Sequence, residues 1–364
     1  MSASLKSPLT VSPAPKNDPS SQTLTTIDLA QLSKSGHAKQ AIDGFEPDPS
    51  KTRTFLESGS GNPLSAKNNA HAGVQLNKKD PCADPKSFKP TAGYKTPEKC
   101  ELFADTRISA NDVKQGSLGD CYFISTLAAL AEKRPTFIKD MIVDKGEGRY
   151  AVRFYHKGRP KWIQVDSDLP QKLNAKELLY AKTSDSDLDG HPEIWAPLIE
   201  KAFAKFRERY PVAGKEGRKG YHCLHYGQAH RTYEALTGKK GQRVELIDGF
   251  DQTLPSIIND LFRPGRQDEL WNYACTTNKG HVIVAGTGDL GKSSGKKACA
   301  GLVGNHVYTV LKTYSRNGER YIQLRNPWGD TEPELKFDGC DDGIFVMRWD
   351  DFKQTFKHLS GEPR

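Results

Sequence analysis

The sequence predicts an α+β fold, a mostly helical half packed against an antiparallel β half, preceded by a disordered leader. Three observations predict it. Residues 1–97 are rich in Ser, Pro, Lys, Asn and Asp and poor in apolar side chains. Helical spacing prevails over residues 98–247, and short β-like runs prevail over residues 248–364. These stretches are the expected leader, helical subdomain and β subdomain.

The leader cannot bury enough apolar area to offset chain entropy. It holds at most a helical turn at 26–32, and a propeptide or targeting role would suit it. Residues 112–120 read as a glycine-bearing turn. A helix follows over 121–133, with Ile124, Leu127, Ala128 and Ala131 on one face, Asp120 at its N-cap and Pro135 beyond its end. Strands are expected at 150–155 and 161–165, joined by a turn at 156–160. In the helix over 192–209, Ile194, Leu198, Ala202 and Phe206 lie four apart. Residues 211–231, rich in Gly, Lys and His, read as an inserted loop that could screen a cleft or bind a partner. Short helices are expected at 233–236, ending at Gly238, and at 254–262. Strands are then expected at 270–276, 281–285, 306–313, 321–325 and 343–348, with a hairpin at Asn317-Gly318 and a closing helix over 350–359. No internal repeat occurs.

The chain has 364 residues and a net charge of +8, with 36 % hydrophobic and 27 % charged residues. The low apolar share agrees with a leader outside the core. No apolar run of about 18 residues occurs, so no integral membrane segment is expected. The N-terminus lacks the apolar stretch of a secretory signal. Lysines and arginines are scattered and no nucleic-acid motif is present, so the basic balance reads as a solvated surface. The seven cysteines are widely spaced without a CxxC pair, which excludes a zinc ribbon or a thioredoxin motif. A reducing, cytoplasmic compartment is expected, with export routes that read other signals left open.

One cysteine stands in a chemically loaded place. Cys121 opens a helix, where unpaired N–H groups and the positive end of the dipole favour a thiolate. Gln115 lies six residues ahead across Gly116 and Gly119. That glycine bend can return its amide to the sulfur, so that Gln115 and the Cys121 N–H form an oxyanion hole. Far downstream, His306 begins a strand and Asn326 follows another just ahead of Pro327, positions where taken alone a histidine is ordinarily structural and an Asn-Pro is a turn.

The run Gln-Gly-Ser-Leu-Gly-Asp-Cys-Tyr over residues 115–122 resembles the active-site signature of the calpain family of cysteine peptidases, with Tyr122 where most members carry Trp. Four further blocks resemble the family in its order: Glu-Ile-Trp-Ala-Pro-Leu-Ile-Glu-Lys-Ala-Phe at 193–203, Tyr-Glu-Ala-Leu at 233–236, Gly-Asn-His-Val-Tyr at 304–308 and Arg-Asn-Pro-Trp-Gly at 325–329. The closing residues 342–359 fit too. The resemblance implies a papain-like core and a cysteine endopeptidase with Cys121 as nucleophile, His306 as base, Asn326 as its holder, Gln115 as oxyanion donor and Trp328 covering the His–Asn bond. It implies a protein or peptide substrate and no organic cofactor. It also implies calcium at Asp112 and Glu200, completed by carbonyls near 108–110. Asp338, Asp341 and Asp342 are at most a remnant of a second site. The acidic run at Asp185, Asp187 and Asp189 copies part of an EF-hand loop, but Ala196 stands where the closing Glu belongs. No calmodulin-like or C2-like domain follows, so accessory regulation is expected to be absent or supplied by the leader. Two other readings stay open: a deamidase or transglutaminase-type acyl transferase with the same triad, and a non-catalytic binding module.

Overall fold

Helix α1 (Cys121–Lys133) forms with the predicted bounds. Ten of its 13 residues are buried, so it is a core helix rather than an amphipathic surface one. It belongs to a computed structural model that describes residues 82–91, 93–103, 108–173, 175–182, 192–246, 265–290, 301–333 and 341–364. All of these lie in one unit, Ala70–Arg364. The expected turn at 26–32, the acidic run at 185–189, the helix at 254–262 and the 247/248 boundary lie outside the described residues.

In the helical half, α1 is followed by α2 (Pro135–Met141), which starts on the proline that ends α1's pattern. A three-stranded antiparallel sheet comes next, its strands numbered after the short β1 (Tyr94–Lys95): β2 (Ile142–Asp144), β3 (Arg149–His156) and β4 (Arg159–Asp166), with β3 in the middle. Lys157 and Gly158, both at positive φ, make the tight β3–β4 turn. Then come α3 (Trp195–Arg209) and α4 (Ala229–Thr237), the latter closed by Gly238 in the left-handed region. Phe123 of α1 stacks on Phe203 of α3 with centroids 4.4 Å apart, and Phe154 of β3 tilts against Phe203 and Phe206. The inserted stretch contributes Tyr221 and Leu224 to this core.

Residues 82–97, placed in the leader by composition, belong to this half. Tyr94–Lys95 pair as a short strand with Leu169–Pro170. Lys201 of α3 has no exposed surface and reaches Asp84 and Asp166, each at 2.6 Å. The carbonyl of Lys86 accepts from the Tyr221 N–H at 3.0 Å. Composition missed the segment because only Phe88 and Tyr94 of its described residues pack against the core, while ion pairs and backbone bonds to residues distant in sequence hold the rest.

The β half has a six-stranded antiparallel sheet. In spatial order it runs Ile344–Arg348, Glu319–Arg325, Val307–Arg316, Ile283–Thr287, Phe356–Gly361 and Gln242–Glu245. Two predicted elements change identity. The strand expected at 270–276 is instead α5 (Arg266–Ala274) running into a 3-10 turn, Cys275–Lys279. Its buried residues Leu270, Trp271, Tyr273 and Ala274 fit one helical face, and so short an apolar run cannot separate strand from helix. The closing helix stops early: α6 (Trp349–Thr355) gives way to the strand Phe356–Gly361 inside the sheet. There Leu359 faces Ala285 on one side and Val244 on the other, so pairing partners far away in sequence override local helical spacing.

The two halves meet along α1 and the strand Val307–Arg316. Ser125 Oγ donates to the Val307 carbonyl at 2.7 Å, and Thr309 Oγ1 donates to the Ser125 carbonyl at 3.0 Å. Lys133 Nζ, at the far end of α1, donates to the Leu311 carbonyl at 2.5 Å. Val282 and Val284 from the β half join the helical core. Four residues along α1 return a side chain to nearly the same face. The Ser125–Val307 bond therefore brings Cys121, one turn earlier, toward the start of the strand that His306 precedes.

Candidate active site

Cys121 is the first residue of α1. The loop before it is fixed by backbone bonds: Gln115 N–H to the Pro327 carbonyl at 2.8 Å and Ser117 N–H to the Leu179 carbonyl at 2.9 Å. Gly116 is pressed so close to the Tyr180 carbonyl that a Cβ would sit 1.8 Å from its oxygen, so no other residue fits without moving backbone. Asp120 stands at the N-cap and its carbonyl accepts from the Phe123 and Ile124 N–H groups. Its side chain caps nothing. It is fully buried and accepts from Gln115 Nε2 at 3.2 Å, near the buried carboxyl of Glu200. Burial pushes both carboxyls upward, and the neighbouring Asp120 charge adds to the rise at Glu200.

His306 is 5 % exposed and is clamped through its backbone by Thr287, whose Oγ1 accepts from the His306 N–H at 2.9 Å. Asn305, at φ 51°, bends the chain just ahead of it. His306 Nε2 meets Asn326 Oδ1 at 3.0 Å. Asn326 is fully buried and donates through Nδ2 to the Thr331 carbonyl at 2.9 Å. The Trp328 ring lies 5.0 Å from the imidazole on one side, and Tyr308 meets it edge-on at 5.0 Å. Cys121 and His306 line one cavity of about 420 Å³. Burial pushes the Cys121 thiol up to about 11, offset by backbone hydrogen bonding at Val307. Burial likewise pulls His306 down to about 4, against the Asn326 hydrogen bond.

The structure thus places Cys121 and His306 on one cavity, with Asn326 buried and bonded to His306. Gln115 stands behind it rather than on its lining: Nε2 donates to the Leu118 carbonyl at 2.6 Å and to Asp120, while Oε1 is buried without a partner. Residues that sequence reasoning passed over also line the cavity, among them Arg243, Asp289 and His358. No local signal marks them, because sheet pairing alone brings them there.

Asp112 and Glu200, the expected calcium ligands, are each engaged within the protein. Asp112 closes a capping box on the Ser109 N–H at 2.7 Å and stands beside the buried guanidinium of Arg325. Both oxygens of Glu200 accept from the Ala181 N–H, at 3.0 and 3.2 Å. Calcium needs six to eight oxygens, and in this arrangement both carboxyls are turned onto backbone N–H groups. Among the described residues no group of three or more His, Cys, Asp or Glu is arranged to hold a metal ion, and no helix is long and apolar enough to cross a membrane.

A thiol at the head of a buried helix and an imidazole on a sheet, held by an asparagine and opened to one cleft between two halves, are the architecture of the papain-like class. Comparison with known proteins narrows the class. Residues 87–338 match the family described as calpain family cysteine protease. The calpain-type cysteine protease DEK1 of Zea mays is 26 % identical over 274 residues, 69 % of this chain and 11 % of the relative. DEK1 of Arabidopsis thaliana is 29 % identical over 271 residues, 68 % of this chain and 11 % of the relative. Calpain-7 of Homo sapiens is 29 % identical over 295 residues, 70 % of this chain and 32 % of the relative. The chain belongs to the calpain family of cysteine proteases, and it spans between about a tenth and a third of the length of these relatives.

Proposed function

We propose that this chain is a cysteine endopeptidase that cleaves polypeptides through a thioester intermediate. The observation that carries the reading is the His306 Nε2–Asn326 Oδ1 bond of 3.0 Å behind a cavity that His306 shares with Cys121. With Asn326 holding Nε2, the other ring nitrogen of His306 is left to take the thiol proton. The Cys121 sulfur attacks the peptide carbonyl, and the oxyanion is received by the Cys121 N–H at the start of α1. Gln115 supplies the second donor when substrate is bound, trading its bond to the Leu118 carbonyl for the developing oxyanion. His306 protonates the leaving amine, then deprotonates the water that releases the acyl group. Calcium enters no step, because Asp112 and Glu200 are engaged elsewhere. Cys82, Cys100, Cys121, Cys223 and Cys275 are all unpaired, which supports a reducing, intracellular setting.

The test is cleavage of casein and of quenched peptides by the full chain, wild type against Cys121→Ala, with ammonia release measured beside it. Cleavage abolished in the variant is the expected result, with no ammonia from glutamine side chains. Iodoacetamide is expected to label Cys121 ahead of the buried Cys223. Full turnover by Cys121→Ala would end the assignment, and Cys121-dependent ammonia release without cleavage would convert it to the deamidase reading.

A further inference from the structure

A second cavity, of about 290 Å³, adjoins the one that holds the nucleophile. The two share Tyr122, Tyr226, Gly227 and Gln228. The partition is thin: a Cβ on Gly227 would lie 2.3 Å from the Tyr122 ring, so bare backbone is packed against that ring. Gln228 is extended, at φ −126° and ψ 126°. Tyr226 stands at the common lip, 67 % exposed and at φ 58°.

The second cavity has one sign of charge. Arg207, Lys215 and Arg231 line it, and no carboxylate does among the described residues. The nucleophile's cavity is mixed by contrast, with Asp289 beside Arg243 and Lys357. Two of the three cations are held in place. Arg207 lies over the Phe203 ring at 4.7 Å and donates to the Arg231 carbonyl at 3.3 Å. Lys215 Nζ is held by the carbonyls of Cys223, His225 and Tyr226. Their crowding registers in both groups: burial first, then neighbouring arginines, pulls Lys215 down to about 8, and burial, with Arg231, lowers Arg207. Preorganised positive charge in a partly buried cavity is a receptor for an anion, because the cost of gathering the cations is met in folding rather than in binding.

We propose that this cavity is a selectivity subsite, in which Arg207 and Arg231 bind a glutamate or aspartate side chain of the polypeptide lying across Cys121. The proposal rests on the peptidase reading above. A substrate strand advances about 3.3–3.6 Å per residue and points alternate side chains to opposite faces. A chain running over the Tyr226–Gln228 lip therefore places one side chain in the basic cavity within a few residues of the scissile bond. The net charge of +8 steers acidic substrates toward the same surface.

The experiment scans Glu, Leu and Lys through four positions on each side of a fixed scissile bond in quenched peptides, using the full chain. At one position kcat/KM is expected to run Glu over Leu over Lys, with Glu ahead of Leu by about tenfold, the lower range of a charge-assisted hydrogen bond. Arg231→Glu, on an exposed residue, reverses the order at that position alone. In parallel, fluorescein-labelled Glu and Lys peptides are titrated against the Cys121→Ala protein, which should prefer Glu and lose that preference in high salt. Leu equal to or ahead of Glu at every position, or a ratio untouched by Arg231→Glu, overturns the subsite while leaving the peptidase standing. Selective binding of the Glu peptide by a protein that cleaves nothing supports the subsite and sinks the peptidase reading instead.

Discussion

Asn326→Ala tests the centre of the catalytic reading. The Asn326 side chain accepts from His306 Nε2 at 3.0 Å and from the Trp328 N–H at 3.2 Å, and donates to the Thr331 carbonyl at 2.9 Å. Alanine orphans all three partners at a position with no exposed surface. At about 1 kcal/mol for each net hydrogen bond, the loss of stability is about 3 kcal/mol. At about 2.1 cal/mol/K of unfolding entropy per residue, that lowers the melting temperature by roughly 4–5 °C. Catalysis has a separate cost. The imidazole is free to take the wrong tautomer, and its charged form loses a partner exactly when it appears in the transition state; about 2 kcal/mol of that loss gives roughly a 30-fold fall in kcat with KM little changed. The assay is peptide hydrolysis at a temperature well below melting, with circular dichroism on the same samples. Asn326→Asp keeps an acceptor for Nε2 and adds a charge, so it should recover much of the rate while raising His306 from about 4 and moving the acid limb of the pH profile upward. A folded Asn326→Ala protein with kcat within about threefold of wild type would refute the role given to this hydrogen bond.

The seam between the halves is expected to matter for rate as well as stability. Ser125→Ala with Thr309→Val removes both reciprocal bonds between α1 and the strand Val307–Arg316, costing about 2 kcal/mol in urea unfolding and lowering kcat; an unchanged kcat would mean that register is set elsewhere. Lys201→Met frees Asp84 and Asp166, and because both carboxylates reach water the cost should be about 2–3 kcal/mol, below that of a fully buried pair. Limited proteolysis should then open residues 82–97 first. For pH, the burial that holds His306 near 4 means that the unfolded chain, with an ordinary histidine near 6.5, binds the extra proton first as pH falls. That contribution to stability is complete above about 6.5 and lost toward 4, by at most about 3 kcal/mol. His306→Gln should flatten this part of the urea-midpoint profile, and an unaltered slope would show that the histidine is not the source.

The elements legible in the sequence are those whose local signals agree with their tertiary setting. α1 was legible because the glycine turn, the 3.6-residue spacing and Pro135 all mark the same bounds. His306 and Asn326 were legible through motifs that hold the strand and turn chemistry together. What was hidden depends on partners distant in sequence. The strand Phe356–Gly361 has helical spacing and becomes a strand only because Ile283–Thr287 and Gln242–Glu245 flank it. Residues 82–97 look like leader, since Lys201 and Asp84 are 117 positions apart. Asp120 looks like a cap, yet its buried carboxyl takes the Gln115 amide instead of a helix N–H, which no spacing rule foretells. The basic cavity draws Arg207 from one helix and Arg231 from another, with Lys215 on the loop between.

Calcium is the point at which resemblance and geometry part. Where the resemblance places a dication at Asp112, this structure has a guanidinium from the β half. Arg325 is 1 % exposed; its Nε donates to Asn111 Oδ1 at 3.2 Å, and Asp112 lies beside it. Burial draws Arg325 down to about 10, still far above neutrality, so the group is charged at any working pH. A dication bound at Asp112 would face that charge, which opposes it. Forming the site would also require Glu200 to give up its bonds to the Ala181 N–H. The halves meanwhile already meet through Ser125, Thr309 and Lys133, and through the ion pair of Arg134 with Glu362. Cleavage rates in millimolar calcium and in millimolar chelator should therefore agree within about twofold, and Asp112→Asn should change stability more than any calcium response. A tenfold or greater gain on adding calcium would mean that Arg325 gives way to the ion, and that the closed seam described here is only one of the states in which the enzyme works.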